Sequence, residues 1–170
     1  MQAESKICFV TVGTTSFDRL IVAVNSPDVR KVLKERHGIT HLVIQYGRGK
    51  VIPDLESEYL TVSAFDFKPT LAQEMKTASL IISHAGAGSI MESLRLQKPL
   101  VVVVNDELMD NHQIELARAM ERGDYLAYAA KAEQLVDVLT SKSLTGFKVY
   151  PERDTSAFAN LVYEELGLLG

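Results

Sequence analysis

Apolar residues along the chain fall into short runs separated by amphipathic stretches. Residues 7–12, 41–46, 59–65, 79–83 and 100–104 are five such runs, and 125–128 adds a shorter sixth. Most are continuous rather than alternating, as expected of strands covered on both faces. Helical spacing runs from about Asp18 onward, divided at Pro27 because proline cannot continue a helix interior. It recurs at 69–77, at 89–97, at 110–122 with Ile114, Ala117 and Met120 on one face, at 132–140 and at 156–166. Residues 140–155 carry neither period and read as an irregular connection. Strands alternating with helices predict an α/β chain built on a single Rossmann-like, doubly wound parallel sheet with right-handed crossovers. No repeat or low-complexity tract intervenes, so residues 1–170 read as one domain.

Composition narrows the class. Hydrophobic residues make up 46% and charged residues 24%, ordinary globular usage. Eighteen basic and 22 acidic side chains give a net charge of -4, and no run of Lys or Arg forms a broad basic face. General nucleic-acid binding is therefore disfavoured. The single cysteine, Cys8, sits in an apolar run, reads as core and fits a cytosolic setting. Residues 1–6 are polar and lack the apolar centre of a secretory leader. The longest apolar stretch, 99–104, is too short to span a bilayer, so work at a membrane would require another component to hold the chain there.

In such sheets ligands bind beyond the carboxyl ends of the strands, where strand order reverses. Four strand ends carry candidate chemistry. Gly13-Thr14-Thr15-Ser16 joins a strand to a helix. Backbone N–H groups there suit an anion, although Thr15 or Ser16 could equally cap the helix with Asp18 in its first turn. His84-Ala85-Gly86-Ala87-Gly88-Ser89-Ile90-Met91-Glu92 has small residues that admit a ligand to the backbone, and Glu92 could accept from a ribose. Ser89 and Glu92 alternatively read as a capping box, and a lone strand-end His84 as a structural residue. Asn105 to Gln113 places Asn111, His112 and Gln113 in succession at the ligand edge, and amide and imidazole groups suit sugar hydroxyls. Asp110 or Asn111 could instead only cap the next helix. In Gly47-Arg48-Gly49-Lys50, two cations could neutralise phosphate or form a solvated loop. Neither a Walker A pattern nor a G-x-G-x-x-G is present, and there is no G-x-S-x-G elbow. The four histidines, His37, His41, His84 and His112, form no metal-ligand spacing, so no metal is expected.

Several segments, in order and at these spacings, resemble the asparagine-linked glycosylation 13 family. They are Phe9-Val-Thr-Val-Gly-Thr-Thr-Ser-Phe17, Gln45-Tyr-Gly-Arg-Gly-Lys50, Ile82-Ser-His-Ala-Gly-Ala-Gly-Ser89, Lys98-Pro-Leu-Val-Val-Val-Val104 and Asn111-His-Gln-Ile-Glu-Leu-Ala117. The resemblance runs from Ile7 to about Gly170. It implies the donor-binding C-terminal half of a GT-B glycosyltransferase of the type that includes the bacterial lipid II synthase.

Such a chain would be the UDP-GlcNAc-binding, catalytic subunit of an inverting transferase that adds the second GlcNAc to GlcNAc-diphosphodolichol. Its partner would be a membrane-anchored acceptor-binding subunit, the glycosylation 14 protein, at the cytosolic face of the endoplasmic reticulum. By the same resemblance, Gly13, Thr14, Thr15 and Gly86 to Ser89 would hold the diphosphate and Glu92 the ribose. Phe65, Asp66 and Phe67 would meet the uracil, and Asn111, His112 and Gln113 the sugar. His112-Gln113 stands where the bacterial relative has Gln-Gln. His84 is a candidate general base, with the partner chain as the alternative source, and Arg48 a candidate phosphate contact. The helix at 156–167 is a candidate partner surface. Other readings are a split bacterial-type exopolysaccharide transferase and a non-catalytic nucleotide-sugar-binding module. A nicotinamide-dependent dehydrogenase fits less well, because the glycine fingerprint is missing.

Overall fold

Every apolar run forms a strand, and the six strands among the described residues are all parallel. The structure, a computed structural model, describes residues 4–107 and 111–151. The order along the chain is β1 (Ile7–Thr11), α1 (Asp18–Asn25), α2 (Pro27–His37), β2 (His41–Gln45), β3 (Thr61–Phe65), α3 (Ala72–Thr77), β4 (Leu80–His84), α4 (Ala87–Arg95), β5 (Leu100–Val103), α5 (Asn111–Arg122) and β6 (Ala127–Ala129). A 3-10 turn (Ala132–Gln134) and α6 (Leu135–Ser141) follow. Expected and observed bounds differ by one to three residues at most ends. Residues 156–167 lie outside the described residues.

Pro27 acts as expected. The chain ends α1 at Asn25, and the Ser26 side chain accepts from the Val29 N–H to cap α2, with Pro27 in its first turn. Gly38 closes α2 in the left-handed conformation.

Alternation within each strand divides the core into two layers. Cys8, Val10, Ile82, Val101 and Val103 face α1, α2 and α6 through Leu20, Ile21, Val24, Leu33, Leu135 and Leu139. Phe9, Ile81, Leu100 and Val102 face α3, α4 and α5 through Met75, Ile90, Leu94, Ala117 and Met120. Of the three residues expected on the inner face of α5, Ala117 and Met120 are buried, while Ile114 is only partly so. Burial also holds the Cys8 thiol protonated, far above the usual thiol range. Truncating a fully buried Ile or Leu here, such as Ile82→Ala, would cost about 2–5 kcal/mol.

The sheet order is β3-β2-β1-β4-β5-β6. From β1 the chain winds outward through β2 to β3, then returns and winds the other way through β4 to β6. The reversal lies between β1 and β4, which leaves a crevice at their carboxyl ends. Register brings the strand ends into line: Thr11 pairs with Gln45 and Ser83, Gln45 with Phe65, and His84 with Val103. The loops that follow these residues form one edge.

Candidate functional site

Four of the candidate segments meet at that edge. The loop after β1 turns at Gly13, whose φ of 64 is left-handed. The same loop carries Thr14, Thr15 and Ser16 into α1. Neither of the expected caps forms. Thr15 Oγ1 donates back to the Val12 carbonyl at 2.9 Å, and the residue before α1 is Phe17, with no side-chain cap. Asp18 leaves its own helix for a neighbour: its carboxylate accepts the N–H groups of Lys50 at 3.0 Å and Val51 at 3.2 Å. The glycine-rich loop after β2 is thereby fastened to the start of α1.

That loop packs closely. The Arg48 N–H donates to the Thr15 carbonyl at 3.3 Å. A Cβ on Gly47 would strike the Thr15 carbonyl oxygen, and one on Gly49 would strike Asp18 Oδ1. The backbone at 47–51 is therefore not a freely solvated loop, whereas the Arg48 and Lys50 side chains are exposed.

On the other side of the crevice, α4 starts at Ala87. Gly86 is its cap residue, in extended conformation and without a side-chain cap bond. The capping-box reading of Ser89 and Glu92 fails here, because the helix begins two residues before Ser89. Ser89 instead accepts Ser93 Oγ at its backbone carbonyl. Glu92 stands on the second turn, half-buried, and its carboxylate has no hydrogen bond or ion pair among the described residues. Ala87 and Gly88 are exposed, and among the described residues nothing beyond the helix's own backbone lies within 4 Å of where a Gly88 Cβ would be. The N–H groups of this first turn thus have open access.

His84 fills the space between the two loops. It is 8% exposed. A Cβ on Gly13 would sit 2.7 Å from its Cε1, and one on Gly86 2.8 Å from the same atom. Both glycines are therefore required by the imidazole as well as by the turns they make. Burial pushes the His84 pKa below the ordinary histidine value, partly opposed by a backbone hydrogen bond at Thr11. Burial thus favours the neutral ring, and its Nδ1 has no hydrogen-bond partner among the described residues.

The loop after β3 brings Phe65, Asp66 and Phe67 beside the loop after β2, through Tyr46 N–H to the Phe65 carbonyl and Gly47 N–H to the Asp66 carbonyl. Phe67 is 55% exposed. Lys68 lies 4.3 Å from the centre of the Phe65 ring and pairs with Glu74, holding that carboxyl below its usual range.

The loop after β5 is tied inward at two points. Buried Asn105 reaches the Ser16 carbonyl, and Arg19 pairs with Asp106, Glu107 and Glu133. Asn111 and Gln113 belong to the first turn of α5, and Gln113 is exposed. Asp110 and the side chains of Asn111 and His112 lie outside what is described. His37 bonds the Leu139 carbonyl and His41 the Ser5 and Thr40 hydroxyls, away from this edge.

Sequence reasoning missed the residues that brace these loops. In the sequence pattern Gln45 figures only within a segment of the resemblance and Arg19 not at all, while Asp18 reads as a helix-start charge and Asn105 as one of a polar run. A polar residue closing an apolar strand, as Gln45 does, is the signal that could have found the first.

Comparison with known proteins gives the family context. The model of the glycosyltransferase family 28 C-terminal domain matches residues 7–163. A mouse protein named UDP-N-acetylglucosamine transferase subunit ALG13 is 49% identical over 124 residues, which is 72% of this chain but only 10% of that protein's length. The NMR solution structure of ALG13 matches with a TM-score of 0.71 at 33% identity, covering 95% of this chain and 96% of that one. The crystal structure of Acinetobacter baumannii MurG matches with a TM-score of 0.66 at 17% identity, covering 96% of this chain and 46% of that one. At that identity the likeness speaks for fold alone, and the fold is one half of a GT-B glycosyltransferase.

Proposed function

Because the chain belongs to the glycosyltransferase family 28 C-terminal domain family, we propose that it is the donor-binding, catalytic subunit of an inverting transferase. The donor is UDP-N-acetylglucosamine. The acceptor is a lipid-linked, diphosphate-bearing N-acetylglucosamine, as in the dolichol-linked N-glycan precursor. The observation that carries this reading is the crevice between β1 and β4, where the Gly13 loop and the open first turn of α4 face each other across His84.

The diphosphate lies against the backbone of Gly13, Thr14 and Thr15 and against the N–H groups of Gly86 to Ser89, with Arg48 available to its charge. Glu92 accepts from the ribose hydroxyls, the 65–67 backbone meets the uracil, and Asn111, His112 and Gln113 read the sugar. The acceptor's 4-hydroxyl oxygen bonds to the anomeric carbon as the bond from that carbon to the β-phosphate oxygen breaks and UDP leaves. Negative charge grows on the β-phosphate, where the α4 N-terminus is already oriented to receive it and no metal is called for. Loss of one such donor would raise the barrier by about 3 kcal/mol.

The hydroxyl proton needs a base. Burial favours the neutral form of His84, as a base requires, but the ring is closed in by two loops, so we assign the base to the acceptor-binding partner. The need for a partner is supported by the name of the similar mouse protein, a transferase subunit. We place the assembled enzyme at the cytosolic face of the endoplasmic reticulum.

The test is transfer of labelled N-acetylglucosamine from UDP to a short lipid-diphosphate-GlcNAc acceptor, with this chain alone and with membranes that contain an acceptor-binding subunit. Transfer only in the mixture, abolished by Glu92→Ala, is the expected result. Binding of UDP-N-acetylglucosamine without transfer in the mixture would make the chain a non-catalytic binding module.

A further inference from the structure

One buried side chain joins the two subsites just proposed. Gln45 closes β2 and is 1% exposed. Its Oε1 accepts from Thr11 Oγ1 at 2.6 Å, Val12 N at 3.1 Å and Gly13 N at 3.0 Å. Its Nε2 donates to the Gly13 carbonyl at 2.8 Å and the Asp66 carbonyl at 3.0 Å. The orientation of the amide follows from its partners. Reversed, the NH2 would face two backbone N–H groups and the oxygen would face two carbonyls.

The carboxamide thus holds both polar ends of Gly13, the residue whose left-handed turn starts the loop after β1. With the same NH2 it holds the carbonyl of Asp66, in the loop after β3. These loops belong to strands that are not neighbours, since β2 lies between them. Thr11 completes the link: its hydroxyl donates to Gln45 and accepts the Gly13 N–H at 3.1 Å. Every polar atom in the group is satisfied, which makes it rigid.

We infer that Gln45 is a positioning residue that sets the spacing between the uracil-binding and diphosphate-binding loops, and so matches the site to a uridine diphosphate donor. This inference rests on the donor-binding reading above. Gln45 touches no substrate; it acts through Gly13 and Asp66. A carboxylate at this position keeps the shape but can only accept, so it would repel both carbonyls.

The experiment compares wild type, Gln45→Glu and Thr11→Val. UDP binding is measured by calorimetry across a pH series, and donor and acceptor KM are measured in the mixture with the partner membranes. Gln45→Glu is expected to weaken UDP binding at least about tenfold at neutral pH, because two buried carbonyls lose their donor. The loss should shrink as pH falls, because a protonated carboxyl regains one donor hydrogen, while wild type shows no such gain. Donor KM should rise with acceptor KM unchanged. Thr11→Val, which keeps both carbonyl contacts, should lose between about twofold and tenfold.

Folded Gln45→Glu with wild-type UDP affinity overturns the inference, as does a fall in kcat with donor KM unmoved. Should Gln45→Glu not fold, Thr11→Val decides alone, and unchanged UDP affinity in it overturns the inference. Failure of wild type to bind UDP would instead overturn the donor-binding reading.

Discussion

The loops that leave β1 and β2 and those that leave β4 and β5 share one sheet edge but are held to different degrees. The first pair is locked by a buried clamp, a half-buried carboxylate and close packing. Gln45 and Thr11 clamp Gly13, Asp18 grips the backbone of Lys50 and Val51, and a side chain added at Gly13, Gly47 or Gly49 would strike a neighbour. The second pair is held less completely. Gly86 packs on His84 and buried Asn105 reaches the Ser16 carbonyl, but among the described residues nothing beyond its own helix lies within 4 Å of where a Gly88 Cβ would be, and the loop after β5 also leans on Arg19, whose side chain is 34% exposed. Hydrogen bonds made out of water's reach keep their full value, whereas exposed ion pairs are screened and compete with hydration. One side of the crevice is a fixed wall and the other a face left open for a ligand.

The largest effect expected from this contrast is at Gly13. Gly13→Ala puts a Cβ against the His84 ring and also forces alanine into a left-handed turn. The clash alone costs about 1–3 kcal/mol, and the backbone adds about 1–2 kcal/mol. Gly86→Ala meets the same ring but from an ordinary φ of -74. Removing the imidazole should therefore separate them. In a His84→Ala background the melting temperature lost to Gly86→Ala is largely recovered, and that lost to Gly13→Ala is not. Equal recovery in both would mean that the wedge, not the turn, is all that Gly13 serves.

Gly88→Ala sharpens the other side. Among the described residues the added methyl meets nothing beyond its own helix, and it sits in a helical turn, so stability should stay level or rise by about 0.5–1 kcal/mol. UDP affinity should fall, because the methyl occupies the approach to the first-turn N–H groups. A variant that melts higher and binds UDP as tightly as wild type would show that the diphosphate does not use this turn.

The smallest effect is expected from Arg19→Gln. Glu133 holds the guanidinium most strongly, with Asp106 and Glu107 adding attraction, yet the cluster is exposed. The variant should shift the melting point slightly at low salt and not at all at about 1 M salt, where the screening length is about 3 Å. A large shift that persists in salt would mean that the loop after β5 is as firmly fixed as its counterpart.

Much of the architecture was readable in advance, for a plain reason. Continuous runs such as 7–12 and 100–104 can be buried on both faces only in a parallel sheet with helices on each side, and the chain has helical spacing between the runs to supply them. Pro27 marked the break between α1 and α2 because it cannot donate within a helix. The strand ends also showed where polar groups and glycines gather. What each polar group does there was less readable. Ser89 and Glu92 have capping-box spacing, but α4 starts at Ala87, and Thr15 turns back on Val12 instead of capping α1. Such choices depend on where a neighbouring loop arrives, and local spacing does not encode that.

By itself, then, the sequence determined the alternation of elements, the parallel sheet and the segments that meet at its carboxyl edge, because periodicity and chain punctuation are local properties. Only the tertiary structure decided that His84 stands between Gly13 and Gly86, that Asp18 serves the 47–51 loop and that Gln45 ties the turn after β1 to the turn after β3. Those contacts join residues up to 71 positions apart, as His84 and Gly13 are. They exist because the strand order β3-β2-β1-β4 lines up Phe65, Gln45, Thr11 and Ser83, and register is a property of the assembled sheet.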